Sequence, residues 1–428
     1  MKLTILEKKT FIAMMAASFF YGFVMTSFQV QDIIAKKALH ALDWQITILV
    51  MLWPISNIFS IWWGKILEHS QSLAKYYILT GIVGRLSLII MLFVIDYYQY
   101  LGLMILLFSF NAFISPAQNA ILQNNITPKN RGNIFGYTAS FITLVSVIFS
   151  FVIGRILDIN ENWFRYFFAI VGVFGLVHAI IMSRIQLKKS HNTDKAFISF
   201  KHIFYTPIVR SIEVLKKNKE FAIFQRNFFI YGIAFMMLLP AIPKYLVEYL
   251  QMDYSQTFLA KGILSQIGIL FLAPIAGRFF DKKNPALFTS LTFLLLSLYP
   301  LILMISSFFI GTSSANYIVY LAFFIYSLAM SGIVISWNIS SICFAGEEDV
   351  SMFQSVHVSL TGLRGVFAPF LGLVIMKIFG IRAVFLLAFG LFVFASILSF
   401  KLYLKMDDKK WKIPHQWKAN IRKIFPFN

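Results

Sequence analysis

The sequence has few ionisable residues and almost no cysteine. Only 13% of its 428 residues are Asp, Glu, Lys or Arg, whereas soluble domains carry about 25%. The one cysteine, Cys343, rules out an internal disulfide and argues against a cysteine-ligated metal cluster. No phosphate-binding loop with Gly-Lys-Ser or Gly-Lys-Thr is present, so an ATP-driven motor within this chain is not expected.

The residue patterns of membrane-embedded enzymes are missing as well. The sequence has no His-x-x-x-x-Asp pair, no Asp-rich cluster and no His/Glu metal pattern. A lipid-modifying transferase would need convergent nucleophilic, acid–base or metal-binding groups. We therefore expect no enzyme, no catalytic residue, no metal and no cofactor. A transporter-like fold kept as a non-transporting receptor is a remote alternative, as is the transferase.

Apolar stretches of about 20 residues recur along the whole chain. Hydrophobic residues make up 59% of it, and the mean hydropathy is +0.75. A stretch of about 20 apolar residues can cross a hydrocarbon core about 30 Å thick. The pattern predicts an all-α integral membrane protein with about twelve transmembrane helices, at 11–30, 45–63, 76–95, 101–123, 133–153, 163–183, 221–243, 257–276, 286–309, 317–343, 352–376 and 383–404.

The net charge of +20 is distributed as membrane topology requires. With the N-terminus inside, the cytoplasmic segments hold 26 Lys and Arg and the outer segments hold 6. This positive-inside bias places both termini in the cytoplasm and predicts a multi-pass protein of a bacterial cytoplasmic (inner) membrane. The basic residues are expected to attract anionic lipids of the inner leaflet, and no nucleic acid is expected as a partner. The apolar run from Phe11 is too long for a signal peptide and indicates an uncleaved first helix.

The longest polar interval, 184–220, divides the chain nearly in half. An N-terminal six-helix bundle is predicted at 1–183, a cytoplasmic linker at 184–220, a C-terminal six-helix bundle at 221–404 and a basic cytoplasmic tail at 405–428. The linker holds nine basic residues and a plausible amphipathic helix around 208–215. The tail interleaves Trp411 and Trp417 with lysines, which favours either an anionic membrane surface or a disordered tail.

A short motif repeats at corresponding ends of helices two and eight. Gly64 and Glu68 end helix two, and Gly277, Arg278 and Asp281 end helix eight, at an offset of 213 residues that is nearly half the chain. A third copy at 154–158 ends helix five. Matched placement in both halves indicates an internal repeat, which is how many transporters are built.

At these residues the chain resembles the major facilitator superfamily, and the resemblance covers nearly all of it. Gly277, Asp281 and Lys282 match the family's loop motif after helix eight, while Gly64 and Glu68 retain part of it after helix two. The resemblance implies two pseudo-symmetric six-helix bundles that transport by alternating access. It also implies that the motif residues act in gating rather than in substrate contact, with ordinary loop packing as the alternative. The gating candidates are Gly64, Glu68, Gly277, Arg278, Asp281 and Lys282.

Polar residues follow one face of helix eleven. Gln354, His357, Thr361 and Arg364 are spaced by 3, 4 and 3, which places them on a common helical face. Arg364 lies near the predicted bilayer centre, where an ionisable group is costly and marks a candidate site. It could bind an anionic group of a substrate, or it could pair with carbonyls or an acid and hold helices together.

Further candidates come from the helices that line the cavity in the resembled family. Helices one, four, seven and ten line it there, and in this sequence they carry aromatic and amide side chains suited to a small polar ligand. The predicted substrate-binding residues are therefore Arg364, His357, Gln354, Thr361, Asn338, Trp337, Asn111, Gln118, Tyr21 and Tyr231.

Coupling to protons has few candidates because no Asp or Glu lies clearly in mid-membrane. Asp32 is the first candidate carboxylate, and His357 is the second candidate because histidine titrates near physiological pH. Facilitated diffusion and anion exchange remain open. Arg85 in helix three is expected to have a structural pairing role.

The sequence thus predicts a monomeric secondary active transporter of a small organic solute. Helix five lacks proline, and with it the glycine–proline motif of many antiporters in the resembled family. This absence favours uptake, as a symporter, over the alternative of drug or metabolite efflux. Arg364 favours a carboxylated or amino-acid-like substrate.

Overall fold

The structure is a computed structural model. It describes residues 3–68, 73–187, 209, 212–282, 284–345 and 350–406. Most of the predicted linker at 184–220 and nearly all of the predicted tail at 405–428 lie outside the described residues, as do Trp411 and Trp417. The amphipathic helix predicted around 208–215 falls partly outside them as well.

Within the described residues, twelve long helical runs follow one another, and we number them α1 to α12. Eleven are long and apolar enough to cross a membrane, and α2 has 26 residues. The predicted all-α, multi-pass fold class is confirmed, since the described residues contain no strand. The runs are α1 Ile5–Lys37, α2 Asp43–Glu68, α3 Ala74–Phe93, α4 Tyr97–Asn125, α5 Pro128–Ile159, α6 Phe164–Ser183, α7 Lys219–Tyr249, α8 Tyr254–Phe258 continuing through Leu259–Leu264 and Ser265–Lys282, α9 Pro285–Ser306, α10 Ser313–Ala345, α11 Val350–Phe379 and α12 Ile381–Lys405.

Short polar side chains begin several of these helices. Asp96 accepts hydrogen bonds from the first amides of α4, Asn218 from the Phe221 amide in α7, and Asn284 from the first turn of α9. These contacts satisfy amides that have no partner within the helix. The connection before α12 is Gly380 at φ +82°, a conformation that glycine adopts without steric cost.

Two helices of the first half depart from regular α geometry. In α4 the helix is interrupted by a turn at 112–113, because Pro116 has no amide to donate to the carbonyl four residues earlier. In α3 only Ala74–Leu79 is α-helical; Thr80–Arg85 is π-helical and Leu86–Phe93 is a 3₁₀ helix. Such irregular turns are frequent at functional sites.

The helices form two compact units. The first contains the described residues of 1–40 and 56–203, and the second those of 41–55 and 204–414. In the first unit α1 packs on α5 and α6, and α3 packs on α6. In the second unit α7 packs on α11 and α12, and α9 packs on α12. The same packing order therefore recurs in both halves.

Glu7 ties the start of α1 to the turn between α4 and α5. The side chain is 1% exposed, and its Oε2 accepts from the Thr4 amide at 2.9 Å in a capping box. Its Oε1 accepts from the amide and hydroxyl of Thr127 at 2.9 and 2.6 Å and from the Asn130 amide group at 3.2 Å. One buried carboxylate thus serves four donors on two helices, and a buried donor without its partner is destabilising.

Replacing Glu7 with Ala is expected to destabilise the first unit. Three of the four donors lie at the N-terminal end of α5, on Thr127 and Asn130, and all four would lose their acceptor. We expect a loss of about 2 kcal/mol, which lowers Tm by roughly 4–8 °C. Thermal unfolding in detergent measures this, with the exposed Glu213→Ala as control. Equal Tm values for the two variants would contradict the role assigned to Glu7.

Candidate functional site

Arg364 is buried in the second unit against a glycine of α7. Its side chain is 3% exposed, and a Cβ added to Gly232 would overlap its guanidinium. The missing side chain at Gly232 therefore creates the space that the guanidinium occupies.

Among the described residues, the guanidinium is held by uncharged oxygens. Nη1 donates to the backbone carbonyl of Phe228, and Nη2 donates to the Thr361 hydroxyl at 3.1 Å. Nε is buried and has no hydrogen-bond partner among the described residues. None of the Asp and Glu side chains that the structure describes forms an ion pair with it. A buried cation without a counter-charge is costly, so Arg364 retains the capacity to bind an anionic group.

Aromatic rings and amides surround this cation. The Tyr231 ring lies 5.7 Å from the guanidinium carbon, a cation–π distance, and is stacked on Phe293 with centroids 4.5 Å apart. Nδ1 of His357 lies 2.9 Å from Oε1 of Gln225, so that ring nitrogen carries the proton and donates. The other ring nitrogen of His357 and Nε2 of Gln225 are buried and have no partner among the described residues.

The structure brings most of the second-half candidates into one group. Trp337 lies 5.5 Å from the His357 ring, and Gln354 donates weakly to the Trp337 carbonyl at 3.5 Å. The side chain of Asn338 lies outside the described residues. We call the remaining side chains the Arg364 cluster: Tyr231, Trp337, Gln354, His357, Thr361 and Arg364.

The gating candidates are placed only by their backbone. Gly64 and Glu68 lie in the last turns of α2, and Gly277, Arg278, Asp281 and Lys282 lie in the last turns of α8. Their side chains are outside the described residues. The gating role therefore stays a prediction.

A second buried cation lies in the first unit, at the irregular part of α3. The Arg85 side chain is 1% exposed, and its Nη1 lies 3.1 Å from the Gly175 carbonyl and 2.6 Å from Nδ1 of His178, both on α6. A Cβ on Gly175 would come within 2.6 Å of Arg85 Cδ. Arg85 pairs with no carboxylate among the described residues, and its Nε and Nη2 have no partner there.

Two of the first-half candidates join this cation. The Tyr21 ring lies 5.3 Å from the Arg85 guanidinium carbon and 4.9 Å from the His178 ring, and its hydroxyl donates to Asn111 at 3.1 Å. The Tyr77 ring lies 6.4 Å from His178. We call Tyr21, Tyr77, Arg85, Asn111 and His178 the Arg85 cluster. Sequence reasoning missed His178, whose only signal is a lone histidine in the apolar span 163–183.

A small cavity adjoins the Arg85 cluster. Its volume is about 20 Å³, enough for a water molecule. Its polar wall is formed by Ser18, Tyr21, Gln118 and His178. The first unit therefore offers a polar recess beside a buried histidine.

Asp32, Asp43 and Glu248 each have a polar partner. Asp32 is 4% exposed, and its Oδ1 accepts from the Ile33 amide at 3.0 Å. Lys244 pairs with Glu248 at 3.2 Å, as the spacing of four predicts, and also with Asp43 at 2.5 Å. Lys244 and Asp43 are 201 residues apart in sequence, so their pairing could not be predicted from local spacing.

Comparison with known families decides the identity of this fold. The family model described as Major Facilitator Superfamily matches residues 10–348. The chain belongs to the major facilitator superfamily. It is a multi-pass membrane transporter rather than an enzyme, and the resemblance read from the helix-end motifs is confirmed. No curated protein matches the sequence.

Solved transporter structures share the fold of this superfamily member. A mutant of the nucleoside transporter NupG aligns with a TM-score of 0.70 at 14% identity, covering 93% of this chain and 100% of its own. A bacterial homologue of the human lysosomal transporter Spinster gives 0.67 at 14% identity, with 96% and 100% covered. A mutant of the peptide transporter POT in complex with alafosfalin gives 0.70 at 12% identity, with 93% and 96% covered.

Proposed function

We propose that this transporter takes up a small organic solute with a carboxylate or similar anionic group, such as an amino-acid-like compound, across a bacterial cytoplasmic membrane by alternating access. The observation that carries the proposal is the Arg364 guanidinium, which is 3% exposed and has no carboxylate partner among the described residues. A planar guanidinium presents parallel N–H groups that match a carboxylate. The missing counter-charge would come from the substrate.

The neighbours of Arg364 suit the rest of such a solute. Tyr231 and Trp337 offer aromatic faces, and Gln354 offers an amide with a buried oxygen that has no partner among the described residues. Apolar walls with a few convergent polar groups are typical of small-molecule sites.

We propose protons as the coupling ion, with Asp32 and His357 as candidate carriers. The gating residues Glu68 and Asp281 are proposed to act at the helix ends and not in substrate contact. A monomer with anionic lipids at its inner surface is the expected working form.

Transport by reconstituted protein tests the proposal. Purified protein in liposomes is supplied with labelled amino acids, dipeptides, monocarboxylates and nucleosides, with and without a pH gradient. We expect an anionic or zwitterionic carboxylate to accumulate, and to accumulate more when the outside is acidic. Preferential movement outward would favour efflux, and movement of neutral nucleosides alone would contradict the role of Arg364. If the protein moved none of these solutes under any gradient, the proposed function would be contradicted.

A further inference from the structure

We propose that His178 is a further proton-binding site, needed besides any carrier at Asp32 or His357 to couple transport to the proton gradient, with Arg85 as the residue that senses its protonation. This inference rests on the proposed transport function. It starts from the hydrogen bond of 2.6 Å between Arg85 Nη1 and His178 Nδ1.

The partner fixes the protonation state of the histidine. Guanidinium nitrogens only donate hydrogen bonds, so Nδ1 of His178 must accept, and the single ring proton is on Nε2. When Nδ1 takes a proton from water, its lone pair is no longer available to Arg85. The hydrogen bond breaks, and two cations face each other inside the protein. Protonation of His178 and its contact with Arg85 therefore exclude each other.

The charges around His178 come from few groups. The elements packed against it present the titratable or charged side chains Tyr21 from α1 and Tyr77 and Arg85 from α3. No described carboxylate faces it. A proton on this ring would therefore act on Arg85 and would not be absorbed by a neighbouring acid.

A proton can reach this ring through the cavity of the first unit. His178 is part of the cavity wall, together with Tyr21, Gln118 and Ser18. A water molecule fits that space. The imidazole therefore borders both a polar recess and Arg85.

The surroundings of Arg85 can convert its release into a movement of helix α3. The side chain fills the space left by Gly175, and a Cβ on Gly172 would come within 2.7 Å of the Arg85 carbonyl oxygen. Arg85 lies where π-helical backbone changes to a 3₁₀ helix. The backbone here therefore departs from the regular α-helical hydrogen-bond pattern.

Two further candidate acceptors for the guanidinium lie on the same helix. The Tyr77 hydroxyl and Thr80 Oγ1 are buried oxygens with no hydrogen-bond partner among the described residues. Both can accept from a guanidinium. We infer that Arg85 exchanges the His178 nitrogen for such an oxygen when His178 is protonated.

The test is the variant His178→Asn in the proteoliposomes described above. Asn keeps an acceptor for Arg85 but cannot bind a proton at neutral pH. Wild-type protein should accumulate the carboxylate of the panel about tenfold per unit of pH gradient, the limit for one proton per solute. The variant should lose this accumulation and keep counterflow at equal pH within about twofold, because substrate exchange needs no net proton movement. His40→Asn is the control, since His40 is exposed and its φ of 49° suits Asn.

A second variant covers the case in which His178→Asn does not fold. In Arg85→Gln the histidine keeps a donor but loses the adjacent cation, so half-maximal transport should move to higher external pH by about one unit. Accumulation by His178→Asn equal to wild type, or an unchanged pH profile in Arg85→Gln, overturns the inference. Wild-type transport that ignores the pH gradient also overturns it while leaving the transport function intact. Absence of any transport by the wild type overturns the proposed function, and this inference with it.

Discussion

Arg364→Gln is expected to weaken binding of an anionic solute by about 2–4 kcal/mol, roughly 30- to 700-fold in Kd, and to raise the Tm of the ligand-free protein. The two effects have one cause. The guanidinium is a buried charge whose partners in the part of the chain that the structure describes are Phe228, Thr361 and the Tyr231 ring. The Gln variant no longer carries the cost of burying a charge without a counter-charge, which is several kcal/mol per ion.

The opposite signs separate the two roles considered for Arg364. If its function were to hold helices together through the Phe228 carbonyl, the Gln variant would melt at a lower temperature than the wild type. Lys377→Gln is the matched control, because it removes a cation from the exposed end of the same helix. Binding is measured by titration of the carboxylate found in the transport screen, and Tm by thermal unfolding in detergent. A lower Tm with intact affinity would assign Arg364 a structural role only.

Gly232→Ala is expected to abolish carboxylate binding without touching a charged residue. The new methyl group would occupy the position of the Arg364 guanidinium, so either the arginine or α7 must shift. Overpacking of this kind costs about 1–3 kcal/mol, and it also misplaces the cation. We expect a lower Tm and loss of transport.

Two further variants make this prediction specific. Gly390→Ala in α12 meets no atom within 4 Å, so it should be neutral or slightly stabilising, because alanine favours a helix. Combining Gly232→Ala with Arg364→Ala removes the overlap and should restore Tm while leaving binding lost. If Gly232→Ala lowered the Tm of the Arg364→Ala protein as much as it lowers the Tm of the wild type, the two residues would not be coupled.

Much of the architecture could be predicted from the sequence because a bilayer imposes a simple rule on it. The apolar stretches of about 20 residues predicted the helices, and the motif at Gly277–Asp281 indicated the superfamily. The face of α11 was also readable, since the spacing of Gln354, His357, Thr361 and Arg364 is a local property of one helix.

Contacts between distant segments could not be predicted in the same way. Arg85 and His178 are 93 residues apart, and Lys244 and Asp43 are 201 apart. The π and 3₁₀ turns of α3 could not be predicted from its sequence, because this span contains no proline. They lie where α3 packs on α6. The role of Gly232 could not be predicted either, because it depends on Arg364, which lies against it on another helix.

The fit between Gly232 and Arg364 has a consequence for how this protein and its relatives diverge. Neither residue can change freely while the other stays, because a side chain at 232 needs the volume that the guanidinium occupies. Relatives that have replaced the arginine should tolerate larger residues at the glycine position, and relatives with a larger residue there should lack the arginine. The same reciprocity is expected between Gly175 and Arg85. A correlated loss of Gly232 and Arg364 along a lineage would mark the point at which the proposed preference for an anionic solute was lost.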